Sequence, residues 1–216
     1  VIPAWSRGAA PYKELSPFII GPITIVEFGV EKEVKVFENL WQGLKVYHHV
    51  TKQAQKSNGW IWKAETHLSN ERDDDATPNR EWAVWRDAIF AHQTGIRRPN
   101  GKAIPRYSYF QGERLGLIEA RKRIYLHYYQ RLLREHPVYQ RLLEKVRNGQ
   151  NIIIVEPDGP SHETYPDGRE MNLELLQELI ETTHDENGRY TPFGHSFAIA
   201  WTLLEDLDVN KRTRMM

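Results

Sequence analysis

Apolar and polar positions along the chain change period several times, and each change marks an element. Ile23-Thr24-Ile25-Val26-Glu27-Phe28 and Lys35-Val36-Phe37 are β-branched and aromatic, and predict strands that pair as a hairpin around Gly29. Upstream, Pro3, Gly8, Pro11, Pro17, Gly21 and Pro22 break any long helix, so residues 1–30 read as loop and short strands. Near Glu38 the period becomes helical: Leu40, Leu44 and Tyr47 share a face, predicting a helix from Phe37 to about Gln55.

Residues 56–112 are mixed. Asp73-Asp74-Asp75 with Pro78 reads as a solvated turn rather than a calcium loop, because neither a histidine nor the calcium-loop spacing accompanies it. Glu81 to Gln93 reads as a helix with Trp82, Trp85 and Ile89 on one side. Residues 94–112, with Gly95, Pro99, Gly101, Pro105 and Gly112, read as a long loop of the length that often carries function. Glu113 to Gly149 is the strongest helical stretch, its apolar stripe running through Leu115, Ile118, Tyr125, Tyr128, Leu132 and Leu133. Pro137 divides it, since proline is accepted in a first helical turn and not in an interior. Ile152-Ile153-Ile154-Val155 predicts a buried strand, stopped by Glu156-Pro157-Asp158-Gly159-Pro160. Asn172 caps a further helix to Thr183, and a last helix begins near Thr191-Pro192 and carries Phe197, Trp201 and Leu204. Helices and short strands thus follow one another along a chain read as a single domain over residues 1–216.

Composition adds exclusions. Lysine and arginine number 29, as do aspartate and glutamate, so no global field draws the chain to nucleic acid or membrane. Cysteine is absent, which removes disulfides and thiolate chemistry and fits a cytoplasmic, reducing location. No apolar run reaches the ~20 residues of a membrane span, and Val1-Ile2-Pro3-Ala4-Trp5 has no signal-peptide pattern. The 9 histidines, His48, His49, His162, His184 and His195 among them, show no HExxH or tight ligand spacing, so no metal is expected. Seven tryptophans and ten tyrosines supply ring faces for stacking as well as for a core.

Chemistry concentrates in Glu38-Asn39-Leu40-Trp41-Gln42-Gly43-Leu44-Lys45-Val46-Tyr47. At roughly 100° per residue, a helix groups Glu38, Gln42 and Lys45 in one sector, bringing a carboxylate, an amide and an ammonium together. A solvated face with an ordinary ion pair is the plain alternative. Glu156 and Asp158, just past an apolar strand, are either ligand-site carboxylates or a turn built on Asp158-Gly159. The segment 113–147 carries nine Lys or Arg against four Glu. Arg121 and Lys122 are the phosphate candidates within an otherwise solvated helix surface.

Together these segments resemble the NADAR-like group, named for an association with NAD and ADP-ribose. Leu15-Ser16-Pro17-Phe18 resembles the group's leucine-serine-asparagine-phenylalanine turn. Glu38, Gln42, Lys45 and Val46 then follow in its helical spacing. Arg121 to Leu133, Leu142-Leu143 to Gly149, and Ile152 to Glu156 are similar in order to its arginine-bearing helix, leucine-rich helix and strand ending in glutamate. Trp41-Gln42-Gly43-Leu44-Lys45-Val46 and Glu119-Ala120-Arg121-Lys122-Arg123-Ile124-Tyr125 also resemble an uncharacterised bacterial and phage family. The resemblance covers residues 12–47 and 113–160 and thins after 190. It departs at Pro17, where asparagine is usual, at the insertion of about 56–112, and at Phe193-Gly194-His195, where a tryptophan-glycine turn is usual.

The resemblance implies a small α+β domain that cleaves or recognises N-glycosides without an organic cofactor. The substrate it implies is a small nucleotide-like molecule bearing phosphoribosyl or ADP-ribosyl. Glu38, Lys45 and Glu156 become the catalytic candidates. Ser16, Phe18, Trp41, Gln42, Arg121 and Asp158 become the substrate-binding ones. Two other readings stay open: a module that binds ADP-ribose or a modified nucleotide without turnover, and a protein acting on modified bases in nucleic acid. The zero net charge counts against the last.

Overall fold

A computed structural model describes residues 2–3, 7–47, 49–50, 54–55, 60–61, 65–66, 77–96, 104–155, 171–184, 188 and 193–214. In chain order the strands are β1 (Ile2–Pro3), β2 (Ile23–Glu27), β3 (Val30–Val34), β4 (Lys45–Val46), β5 (His49–Val50), β6 (Ala54–Gln55), β7 (Trp60–Ile61), β8 (Glu65–Thr66), β9 (Tyr107–Phe110), β10 (Glu113–Leu115) and β11 (Ile154–Val155). The helices are α1 (Phe37–Gly43), α2 (Arg80–Phe90), α3 (Leu117–Ala120), α4 (His127–Glu135), α5 (Pro137–Arg147), α6 (Leu173–Glu181) and α7 (His195–Arg214). A 3-10 turn spans Tyr12–Leu15, and the wider π-helix spans Arg121–Leu126. The fold is α+β. Where the sequence reads as one domain, contacts group the residues into two compact units: 21–120, and 1–20 with 121–216.

In the unit of residues 21–120, β2 and β3 form an antiparallel hairpin, Ile23 opposite Val34 and Glu27 opposite Val30. It turns at Gly29 as expected, but its second strand is Val30–Val34, while Lys35 and Val36 bend away and Phe37 opens α1. Phe28 and Gly29 turn it with φ of 52° and 76°, the left-handed pair that suits the twist of a two-residue hairpin. Asn79 caps α2 by accepting from the Trp82 amide at 3.0 Å. Trp82, Trp85 and Ile89 then face inward with Val46, Tyr47 and Ile96 to make the core, as the spacing predicts. Tyr47 meets Trp85 edge-on at 6.0 Å and Trp82 meets Tyr109 edge-on at 5.5 Å, the favoured geometry for ring quadrupoles.

Two polar ties hold this unit. Buried Asn39 donates to the carbonyls of His92 (2.8 Å) and Thr94 (3.1 Å) and accepts from the Ile96 amide (2.8 Å), which fixes the chain after α2. The Glu27 carboxylate, wholly buried, is met by Arg86 at 2.9 Å and Lys32 at 3.6 Å. A carboxylate taken out of water at such cost needs its cations close.

Three further expectations change here. The helix from Phe37 stops at Gly43 rather than near Gln55. Glycine is a poor helix residue, and β-branched Val46 instead extends opposite Tyr107 in the sheet β10-β9-β4. Backbone bonds from Arg106 N to Val46 O and Tyr109 N to Leu44 O, both 2.8 Å, hold it there. The long loop of 94–112 contains β9, and β10 occupies Glu113–Leu115 where a helix was expected. Gln111 and Gly112, at φ of 53° and 83°, close that second hairpin, and helix resumes at Leu117.

In the other unit, β1 and β11 pair in parallel, Ile2 opposite Ile154. The expected buried strand over 152–155 is only two residues long and partly open, with Ile153 62% exposed. A two-strand ribbon covers its residues on one side at most, so an unbroken apolar run does not guarantee burial. The helical expectations hold better. Pro137 opens α5 at its first turn after α4 ends, and Gly149 follows α5 with φ of 80°. Asn172 caps α6 by accepting from the Leu175 amide at 2.8 Å. Tyr129 donates to the Leu15 carbonyl, anchoring the 3-10 turn.

Acidic residues of α7 fasten α4 and α5. Glu205 accepts from Gln130 (2.9 Å), Arg134 (2.8 Å) and Trp201 (2.7 Å), while Asp206 accepts from Arg134 (3.0 Å) and Tyr139 (2.7 Å). Burial, reinforced by the bond to Asp206, raises the Tyr139 phenol above its ordinary range.

Candidate functional site

Helix α1 and the first residue of β4 bring four of the expected residues together. Gln42 lies one helical turn after Glu38 and donates from Nε2 to Glu38 Oε1 at 2.6 Å. Lys45, on β4, donates from Nζ to Gln42 Oε1 at 3.0 Å. Its ammonium also sits 4.4 Å from the centroid of the Trp41 ring. A carboxylate only accepts and an ammonium only donates, so the two bonds demand the same orientation of the Gln42 amide. Glu38 and Gln42 are each 7% exposed, so the relay works where water competes little. The Lys45 backbone is fixed too, its carbonyl accepting from the Trp82 indole at 3.1 Å.

Chemically this is an anionic oxygen and a cationic proton donor held apart by one amide. Such a pair can stabilise positive charge on one side of a breaking bond and supply a proton or a counter-charge on the other. The Trp41 face nearest Lys45 holds the ammonium, so that face acts through its quadrupole rather than as a stacking platform.

Three of the other expected residues, Ser16, Phe18 and Arg121, belong to the other unit. Ser16 and Phe18 follow the 3-10 turn of the other unit, where Ser16 is buried and its hydroxyl lies 3.4 Å from the Phe18 amide. Arg121 is in that unit as well, 2% exposed, and donates to the carbonyls of Ile180 (3.1 Å) and Thr182 (2.8 Å) at the end of α6. Cations are favoured at a helix C-terminus, where carbonyls lack partners, so these two bonds give Arg121 a holding role. Lys122 pairs with Glu181 of the same helix at 2.7 Å. Glu156 and Asp158, like Asp73 to Asp75, lie outside the described residues.

A feature the sequence reading passed over opens at the end of the β10-β9-β4 sheet. A cleft of about 590 Å³ is lined by Ile104, Pro105, Arg106, Tyr107, Arg114 and Gly116. The Arg114 guanidinium lies 5.6 Å from the Tyr107 ring centroid. Lys45 is paired with Ser108 and Val46 with Tyr107, so the pleat turns Lys45 and Tyr107 to opposite faces of the sheet. The cleft and the relay are therefore separate features. Only the glycines and prolines of 94–112 marked this stretch in the sequence. Arg114 was hidden by its apparent place on a helix.

Among the described residues no group of three or more His, Asp or Glu is placed to hold a metal ion, and no helix is long and apolar enough to cross a membrane. Comparison with family models, curated proteins and solved structures finds no match to this chain.

Proposed function

We propose that the chain is an N-glycoside hydrolase of the NADAR-like kind, acting on a small phosphoribosyl or ADP-ribosyl nucleotide-like substrate. One observation carries this reading: the buried Glu38–Gln42–Lys45 relay, with its carboxylate and ammonium on a common amide. In the reaction the C1′–N bond breaks and its electron pair leaves with the base nitrogen. Positive charge then develops on the sugar, where the Glu38 carboxylate stabilises it and accepts a proton from the attacking water. The water oxygen bonds to C1′. Lys45 either protonates the departing nitrogen or holds the substrate phosphate, and Gln42 orients both groups.

The test follows base release chromatographically from ribosylated nucleotides, with wild type, Glu38→Gln and Lys45→Ala. Glu38→Gln keeps the shape and removes the charge, so turnover falls by ~10²–10³ while binding changes little. Lys45→Ala lowers turnover and, if it holds phosphate, weakens binding too. Binding without any base release would replace this reading by a nucleotide-binding module. Neither binding nor release refutes it.

A further inference from the structure

We propose that the cleft at the end of the β10-β9-β4 sheet is a separate binding site for a phosphate-bearing small molecule of nucleotide size. Arg106 and Arg114 would take the phosphate, and the Tyr107 ring would pack against the rest of the ligand. This goes beyond the proposed N-glycoside chemistry and does not rest on it.

Three independent observations converge. The volume, about 590 Å³, falls among those of small-molecule sites, which run from roughly 300 to 1,000 Å³. Two of the six lining residues are arginines and none is acidic. A guanidinium presents its donors in a planar fork that matches phosphate oxygens two at a time. The Arg114 guanidinium lies 5.6 Å from the Tyr107 ring centroid, so charge and an aromatic ring line the same cleft. The size of the cleft suits a small ligand.

The experiment is calorimetric titration with AMP, inorganic phosphate and adenosine. The reference protein is Lys45→Met, which removes the relay's ammonium but keeps an apolar stem over Trp41. Arg106→Ala and Arg114→Ala are made in that background, with Arg131→Ala on α4 as a control for loss of one exposed cation. Circular dichroism confirms that each variant folds; both cleft arginines are exposed, so their truncation costs little stability. We expect Lys45→Met to bind AMP more tightly than phosphate, and adenosine hardly at all. Each cleft variant should weaken AMP by about tenfold or more, the loss typical of a charged hydrogen bond, while Arg131→Ala leaves it unchanged. The proposal is overturned if Lys45→Met binds no AMP, if the cleft variants bind as their parent does, or if adenosine binds as well as AMP. A single-stranded oligonucleotide that binds far more tightly than AMP, and loses that affinity with the same arginines, overturns it in favour of a polymer.

Discussion

Replacing Gly43 by alanine sets two opposing effects against each other at the end of the relay helix. Helix propensity alone favours alanine by at most about 1 kcal/mol, less at a terminal position. A Cβ on Gly43 would lie 2.7 Å from Phe90 Cε1, 3.0 Å from Phe90 Cδ1 and 3.4 Å from Ile89 Cγ2. Comfortable carbon contacts are ~3.5–4.0 Å, so the methyl group enters occupied space. Phe90 is a rigid ring 3% exposed, Ile89 is wholly buried, and the Phe90 carbonyl is held by the Lys35 amide at 3.0 Å. Overpacking of this kind costs about 1–3 kcal/mol, which exceeds the propensity gain. The net expectation is a loss of about 1 kcal/mol, lowering a urea midpoint by roughly 0.5 M at ordinary slopes. If the clash is the cause, Gly43→Ala should cost far less in a Phe90→Leu background, where the nearest ring atoms are gone. A midpoint that rises, or a cost unchanged by Phe90→Leu, refutes the reasoning.

Asn39→Leu strands two carbonyls and an amide in the buried segment after α2. It should cost about 3 kcal/mol in urea unfolding and speed proteolysis between His92 and Ile96; near-neutral stability would mean that water replaces the bonds. His136 caps α5 by accepting from the Val138 amide through Nδ1 at 3.2 Å, a bond only the neutral ring makes. Burial pushes its pKa below the ordinary 6.5, opposed by Glu14 and aided by Arg141. The folded state thus holds fewer protons than the unfolded one just below that value. Its contribution is complete above pH 6.5 and is lost as pH falls through the lowered folded pKa. His136→Asn keeps a capping oxygen without the titration, so stability measured from pH 7 to 4.5 should fall less steeply than in wild type.

The helices were the most legible part of the chain because their signals are local. Asn172, Pro137 and Gly149 each act on the backbone beside them, and each does what its type predicts. Leu44 to Tyr47 and Glu113 to Leu115 both fit a helical period, but β9 pairs with the first from far along the chain and with the second across the Gln111-Gly112 turn. Ile152 to Val155 has the composition of a core strand, yet composition does not say how many neighbours a strand will find. At the site, Gln42 beside Glu38 follows from one helical turn. Lys45 reaches Gln42 for a different reason than its spacing suggested, by a turn into a strand. Arg121 reads as a phosphate ligand in isolation, and only the position of α6 reveals the carbonyls it serves.

Leu44 alone separates α1 from β4, and this makes the relay a matter of parity. Along a strand, odd and even positions face opposite ways, so Lys45 meets Gln42 only because the connection has the length it has. One residue inserted at Leu44 would keep every chemical group of the site. It would nevertheless turn Lys45 to the face now held by Val46, toward Tyr107 and the tryptophan core, and offer Gln42 an apolar neighbour instead. Two inserted residues would restore the face but carry the ammonium roughly 6.6 Å along the strand, beyond the reach of the amide.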